Sequence, residues 1–389
     1  MGKNKVDYYL AGSVTVLFLI GLIMVFSASS IMANSNFGSL TYFFRKQILW
    51  GFLALVVMII FSKINYRKLK KNKFPLILIV VAILMLAGLP IFGTTVKGAT
   101  RWYHLGFFNF QPSELAKLAL IIYFAFFLST RQDRIRDFKT GLAPLLAILL
   151  ITLILILIQP DLSTTLMMVL ITGAMLLLSR ARLRHIMGML LPVFPFIIYV
   201  MTTNNYQTKR ISDWLAAWDN PLKAAYQIKQ SLIGLGRGGW FGHGLGDSKQ
   251  KFFFLPDSHT DFIFSIIGEE FGYIGTTIIL FLFLVVFFRG LRLASKAPDL
   301  FGRYLAIGIT LNIVLFAFIN AAVVSMLLPA TGLPMPFISY GGSNLLFLGM
   351  SVGILLNISR QPSVTGSNEH WMQFRDNPNP MLNRVLIND

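Results

Sequence analysis

Residues 74–92 read FPLILIVVAILMLAGLPIF, a run without one charged side chain. An α-helix rises about 1.5 Å per residue, so such a run spans roughly the 30 Å hydrocarbon core of a bilayer. Working outward, the same texture recurs at 48–60 (ILWGFLALVVMII) and 13–31 (SVTVLFLIGLIMVFSASSI). Over all 389 residues, 55% are hydrophobic, 13% are charged, and the mean hydropathy is +0.68. Soluble domains rarely exceed half apolar and do not collect their apolar residues in blocks. These features predict an all-α polytopic membrane protein of about ten transmembrane helices, beginning near residues 9, 46, 74, 113, 141, 162, 185, 260, 303 and 337. The first block reads as a span rather than a cleaved signal, since no small-x-small site follows it.

The formal charge of +18 would suggest nucleic acid in a soluble chain. Here it reads as basic loops on the cytoplasmic side, with no nucleic-acid partner. KINYRKLKKNK (63–73), RQDRIRDFK (131–139) and RARLR (180–184) fall on one side of the predicted spans. Both termini are therefore expected inside a multi-pass cytoplasmic (inner) membrane protein. Residues 1–359 form the membrane domain, and 360–389 form a polar, Pro/Asn-rich tail expected to be mobile. With no cysteines, disulfides and thiolate metal sites are excluded, and the five histidines show no HExxH pairing.

Two outer connections, 92–112 and 203–259, are long, cationic and rich in Trp and Gly; the large one lies between helices 7 and 8. Such loops in compact proteins are commonly functional. The second runs into FFFLPDSHTDFIFSIIGEEFG (252–272). Asp261 reads either as a helix-start acid, with Ser258 or Thr260 as the cap, or as a functional carboxylate. Glu269 and Glu270 fall two turns deeper, in apolar territory. Carboxylates there cost several kcal/mol unless paired, hydrated or protonated, and they suggest a hydrated outer cavity.

KGATRWYHLGFFNFQPSELAK (97–117) puts Pro112 at a helix start. Glu114 can cap backwards or pair with Lys117 at i,i+3. Lys97, Arg101 and Lys117 could form a cationic patch for a lipid-borne anion such as a pyrophosphate. GLGRGGWFGHGLGDSKQK (234–251) fits GxGxxG by chance, but no βαβ unit surrounds it. It reads as a flexible loop or as a wrap for sugar or phosphate. LLPATGLPMPFISYGGSN (327–344) cannot be a straight helix and reads as an outer re-entrant segment closing the same cavity. Gln159-Pro160-Asp161 reads as an outer turn with Asp161 as a polar cap.

KGATRW, GFFNFQPSELAKLAL, QPDLSTTL, GLGDSKQKFFFLPDSHTDFIFSIIGEEFG and LLPATGLPMPFISYGGSN, in this order, resemble the hallmark segments of the SEDS family of polytopic peptidoglycan glycosyltransferases. The resemblance runs from the first span to about residue 360 and is closer to the division branch than to the elongation branch. Asp247 and Asn344 depart from the usual pattern. The resemblance implies polymerisation of lipid II at the outer face during cell division, by inverting displacement, with Asp261 matching the essential aspartate as general base. It implies that Lys97, Arg101 and Lys117, with a divalent cation (Mg or Mn), meet the leaving pyrophosphate. Trp102 would stack on sugar or anchor at the interface. Glu269 and Glu270 would position substrate or form ion pairs within the cavity, and Glu114, His259, Ser339 and Gly341 complete the candidate substrate contacts. The implied partners are a class B penicillin-binding transpeptidase and other divisome proteins. The rival reading is a lipid II flippase, which ten spans and broken helices also suit.

Overall fold

The computed structural model describes residues 6–96, 98–106, 108–132, 135, 137–179, 181, 205–220 and 224–362. Its helices are α1 (Tyr8–Phe37), α2 (Tyr42–Lys63), α3 (Phe74–Phe92), α4 (Pro112–Thr130), α5 (Ala143–Ile158), α6 (Leu162–Leu177), α7 (Asn205–Asp219), α8 (Tyr226–Gly238), α9 (Ile263–Lys296), α10 (Leu300–Val324) and α11 (Gly342–Ser359). Among the described residues, eight helices are long and apolar enough to cross a membrane, counting α5 with the turn at Phe138–Leu142. α6, with 16 residues, is a shorter apolar helix. The seventh expected span, from residue 185, lies outside the described residues, as does the tail from 363.

Local chemistry sets the ends of these helices. Asp7, Asp161 and Asp299 are N-caps, accepting from Leu10 N at 3.0 Å, Thr164 N at 3.1 Å and Gly302 N at 2.8 Å. Each satisfies an amide that the helix leaves orphaned. α4 and α10 form the centre, with 78% and 72% of their apolar windows buried, against 22% for α2 and 28% for α3. α11 crosses α2 closely because Gly349 and Gly353 carry no side chain there. A Cβ at either would sit 2.5 Å from the carbonyl oxygen of Ala54 or Met58, a small-xxx-small contact typical of membrane helices.

The bundle has two distinct ends. At one, Asp7 meets Arg289 through a carboxylate–guanidinium pair at 2.6 Å, and Asp7 N donates to Ser359 Oγ at 3.2 Å. Tyr66 N donates to Asn357 at 2.9 Å in the same region, so both described chain ends lie here. At the other end, residues 94–110 form a small antiparallel sheet: β1 (Thr94–Val96), β2 (Ala99–His104) and β3 (Asn109–Phe110), in that spatial order. Thr95 lies opposite Thr100, and Tyr103 opposite Phe110. The loop expected over 92–112 is thus an ordered hairpin. The loop expected over 203–259 contains α7 and α8.

The eighth span departs from expectation. Gly272, at φ 66° and ψ −162°, interrupts α9. Residues 263–271 form a short helix, and the continuous membrane-length helix begins only after the break.

Candidate active site

Asp261 is half-buried in the turn preceding α9. The helix starts at Ile263 with no side-chain cap, so neither Ser258 nor Thr260 caps it. Thr260 Oγ1 bonds back to Asp257 O at 3.2 Å, and Ser258 Oγ donates to Ala28 O on α1 at 3.3 Å. The turn is held from its other side by the Pro-rich segment 327–341. Ser339 Oγ donates to Thr260 O at 2.6 Å and accepts from Met335 N at 2.8 Å. Tyr340 N donates to His259 O at 3.0 Å. Asn320, on α10 and 1% exposed, donates from one Nδ2 to Asp261 O and Leu333 O, both at 2.7 Å. Gln47, on α2 and fully buried, bonds Ser339 O and Gly341 N, each at 3.3 Å. Gly332, at φ 71°, leaves its bare Cα beside the carboxylate, with Asp261 Oδ2 3.4 Å from where a Cβ would stand.

His259, Ser339 and Gly341, expected among the substrate contacts, do gather around Asp261. However, the Ser339 hydroxyl and the Gly341 amide are taken up within the protein. His259 is 5% exposed and packs between the rings of Phe43 (4.7 Å) and Tyr340 (5.8 Å). These residues shape the turn that presents Asp261.

The cations sit differently from expectation. Lys97 lies outside the described residues. Arg101, on β2, donates from Nε to Gln159 O at 3.0 Å and from Nη2 to Pro160 O, clamping the α5–α6 turn. Trp102 pairs with Thr94 in the hairpin and is half-buried. Ser163, just inside α6, donates to Thr331 O at 2.7 Å. This contact joins the turn gripped by Arg101 to the residue preceding Gly332, putting Arg101 and Asp261 at the same end. Glu114 does not cap α4, which has no side-chain cap. It pairs with Lys117 at 2.8 Å with both side chains nearly sealed, and the ammonium lies 4.0 Å from the Phe316 ring centroid. Burial makes each of these two charges depend on the other.

Glu269 and Glu270 require a correction, because they do not line an open cavity. They are 0% and 1% exposed and end the short helix before Gly272. Glu269 accepts from Lys249 N (3.1 Å), Gln250 N (3.2 Å) and the Ser248 hydroxyl, and pairs with Arg237 at 3.3 Å. Glu270 accepts from Ser27 Oγ at 2.6 Å and pairs with Lys251 at 3.3 Å. The Gly-rich segment has the matching role. His243 N and Gly244 N donate to the carbonyls of Glu269 and Glu270, at 3.1 and 3.0 Å. Tyr273 N and Ile274 N donate to the carbonyls of Gly239 and Trp240, at 2.8 and 3.2 Å. The loop therefore satisfies both the carbonyls and the amides exposed by the helix break. Gly242 (φ 78°) and Gly272 (φ 66°) are in the left-handed region. A Cβ on Gly242 would run into the Glu270 carbonyl, and one on Gly272 would stand 2.5 Å from Gly242 N.

Asn320, Gln47 and Lys251 escaped the sequence reading. A signal existed in Asn320, an amide inside LNIVLFAFINAAVV, since a polar side chain at membrane depth demands partners. Among the described residues, no group of three or more His, Asp or Glu side chains could hold a metal ion.

The profile of the FtsW/RodA/SpoVE cell cycle protein family matches residues 8–364. The chain belongs to this family. A probable peptidoglycan glycosyltransferase FtsW from Geobacter sp. (strain M18) is 44% identical over 344 residues, covering 88% of this chain and 94% of that one. Stage V sporulation protein E of Bacillus subtilis is 40% identical over 358 residues, covering 92% and 98%. Among solved structures, a chain from a peptidoglycan synthase complex that coordinates polymerisation and crosslinking superposes with a TM-score of 0.72 at 25% identity, covering 92% of this chain and 98% of its own. Thermus thermophilus RodA superposes with a TM-score of 0.67 at 24% identity, covering 92% and 97%, and shares the fold. Like its relatives, this family member is a multi-pass membrane protein.

Proposed function

We infer that this family member is a peptidoglycan glycosyltransferase that polymerises lipid II at the outer face of the cytoplasmic membrane, with both termini inside and Asp261 as general base. The names of its relatives, at 40–44% identity over most of the chain, support the reaction class. The basic loops support the orientation. One observation carries the role of Asp261: its turn is held by α10 and by the Pro-rich segment, which α2 braces in turn, while Asp261 itself is only half-buried. A general base must reach the hydroxyl in a fixed geometry, and typically contributes about 10²–10⁴ in rate.

In the proposed step, the 4-hydroxyl of the acceptor sugar attacks the anomeric carbon of the donor. Asp261 takes the hydroxyl proton as the new glycosidic bond forms. The bond from the anomeric carbon to undecaprenyl pyrophosphate breaks, and its electron pair leaves with the pyrophosphate. A single displacement inverts the α-linked donor to a β-linked product. Arg101 directs two of its five donors to the 159–160 carbonyls, and the remainder can face the departing anion. The solved synthase complex supports a crosslinking partner. We propose that this is a class B penicillin-binding transpeptidase, working with other divisome proteins.

The test is polymerisation of labelled lipid II by the purified chain with its transpeptidase, the products being resolved on a gel. Asp261→Asn is expected to lower turnover by about 10²–10⁴ while the melting temperature is unchanged. Full turnover in the variant would remove Asp261 as base. Polymer from neither protein, alongside an active control polymerase, would favour the flippase.

A further inference from the structure

The loop between α2 and α3 concentrates positive charge and leaves part of it without a neutralising partner. Arg67 there pairs with Asp299 at 2.9 Å. Lys68, Lys71 and Lys73 are exposed, and among the described residues none has an ion-pairing carboxylate. Together with Asn72, Phe74 and Ile77 they line a shallow, wide-open depression on the surface. Phe74 and Ile77 also begin a stripe that continues down α3. Phe74, Ile77, Val81 and Leu84 are 41%, 58%, 41% and 64% exposed. Their spacing of three, four and three residues keeps them on one face of the helix. At about 1.5 Å per residue the stripe covers roughly 15 Å, half of a 30 Å hydrocarbon core and so the depth of one leaflet.

A cationic rim opening onto an apolar track of leaflet depth matches one kind of molecule. We propose that this depression binds an anionic phospholipid, with the headgroup phosphate held by Lys68, Lys71 and Lys73 and an acyl chain lying along Phe74, Ile77, Val81 and Leu84. Clusters of lysine immediately beside a membrane helix attract anionic headgroups, and the lysine ammonium acts as a point charge toward phosphate. A zwitterionic headgroup carries no net charge, because its own cation offsets the phosphate, and so gains less from the same rim. The orientation bias of membrane proteins explains why cations gather at this end. It does not require three unpaired lysines at the mouth of a depression that continues as an apolar stripe. The site lies at the end opposite Asp261 and is independent of the proposed reaction.

The experiment reconstitutes the full chain in vesicles of phosphatidylcholine and phosphatidylglycerol in equal parts. After gentle extraction, native mass spectrometry counts the lipids retained. The wild-type chain is expected to retain phosphatidylglycerol in preference to phosphatidylcholine. The triple variant Lys68→Gln, Lys71→Gln, Lys73→Gln is expected to retain about a hundredfold less. A second triple variant, Lys139→Gln, Lys249→Gln, Lys296→Gln, removes the same charge at other exposed positions and keeps the retention. Ile77→Ser with Leu84→Ser keeps every charge and lowers retention through the chain track alone. Equal retention in the wild type and the first triple variant overturns the site, as does equal loss in the two triple variants. Indifference of the wild type to headgroup charge overturns it without any variant.

Discussion

Asn320 joins two carbonyls from segments 72 residues apart, Asp261 and Leu333, through a single buried amide nitrogen. A leucine of similar size cannot donate, and both carbonyls would then lack this donor. Each buried polar group left unsatisfied costs about 1–3 kcal/mol. Asn320→Leu is therefore expected to destabilise the chain by about 2–6 kcal/mol, measured by thermal melting in detergent. Because misplacing a reacting group by about 1 Å can cost 10²-fold, turnover should fall by about 10–100-fold well below the melting temperature, with KM little changed. Full turnover under those conditions would make Asn320 a purely structural group. At this scale the sequence was an uneven guide. Asp261 stood out because a carboxylate beside an apolar run is conspicuous. The environment of Ser339 did not, because no pattern in SYGGS says which backbone atoms its hydroxyl will meet.

Among the elements, the segment from Gly234 to Lys251 acts as a clasp on the broken helix α9. Four backbone hydrogen bonds and two ion pairs to buried carboxylates hold it, and its close contacts exclude side chains at Gly242 and Gly272. Gly242→Ala adds a methyl group against the Glu270 carbonyl at positive φ, and should destabilise by more than about 1 kcal/mol. Gly236→Ala is the contrasting variant. Gly236 lies inside α8 with nothing within 4 Å of where a Cβ would stand, so alanine should be neutral or stabilising by up to about 1 kcal/mol. Equal melting of the two variants would deny the clasp. Most membrane helices were legible from hydropathy, and their starts at α1 and α3–α6 fall within a few residues of expectation. The break at Gly272 was hidden because IIGEEFGYIG satisfies a helical pattern on both sides. What interrupts the helix is the approach of a distant loop, which periodicity does not encode.

For the whole molecule, both ends are tied by ion pairs, but the turn presenting Asp261 relies on backbone groups. The end bearing both described chain ends is tied by charge: Asp7 with Arg289, and Asp299 with Arg67 and the Tyr66 hydroxyl (2.6 Å). Burial pushes the Asp299 carboxyl up, but hydrogen bonds from Tyr66, Gly302 N and Arg67 outweigh it and hold the group below its usual value. The unfolded chain then binds this proton more readily than the folded one. Its contribution to stability is present above the ordinary carboxylate range, near about pH 4, and is lost as pH falls through the folded value. The melting temperature should drop on acidification below about pH 4, and Asp299→Asn should flatten that part of the slope. An unchanged slope would refute the assignment. The opposite end has ion pairs of its own at Glu114, Glu269 and Glu270, but the turn that carries Asp261 is held there through backbone carbonyls and amides. The interruption at Gly272 gives these two ends independent rotational phase. Inserting one residue in an unbroken helix would swing everything beyond it by about 100°. An insertion after Gly272 would turn the lipid-facing side of the long helix against the bundle, while the clasp kept the bearing of the Asp261 turn unchanged.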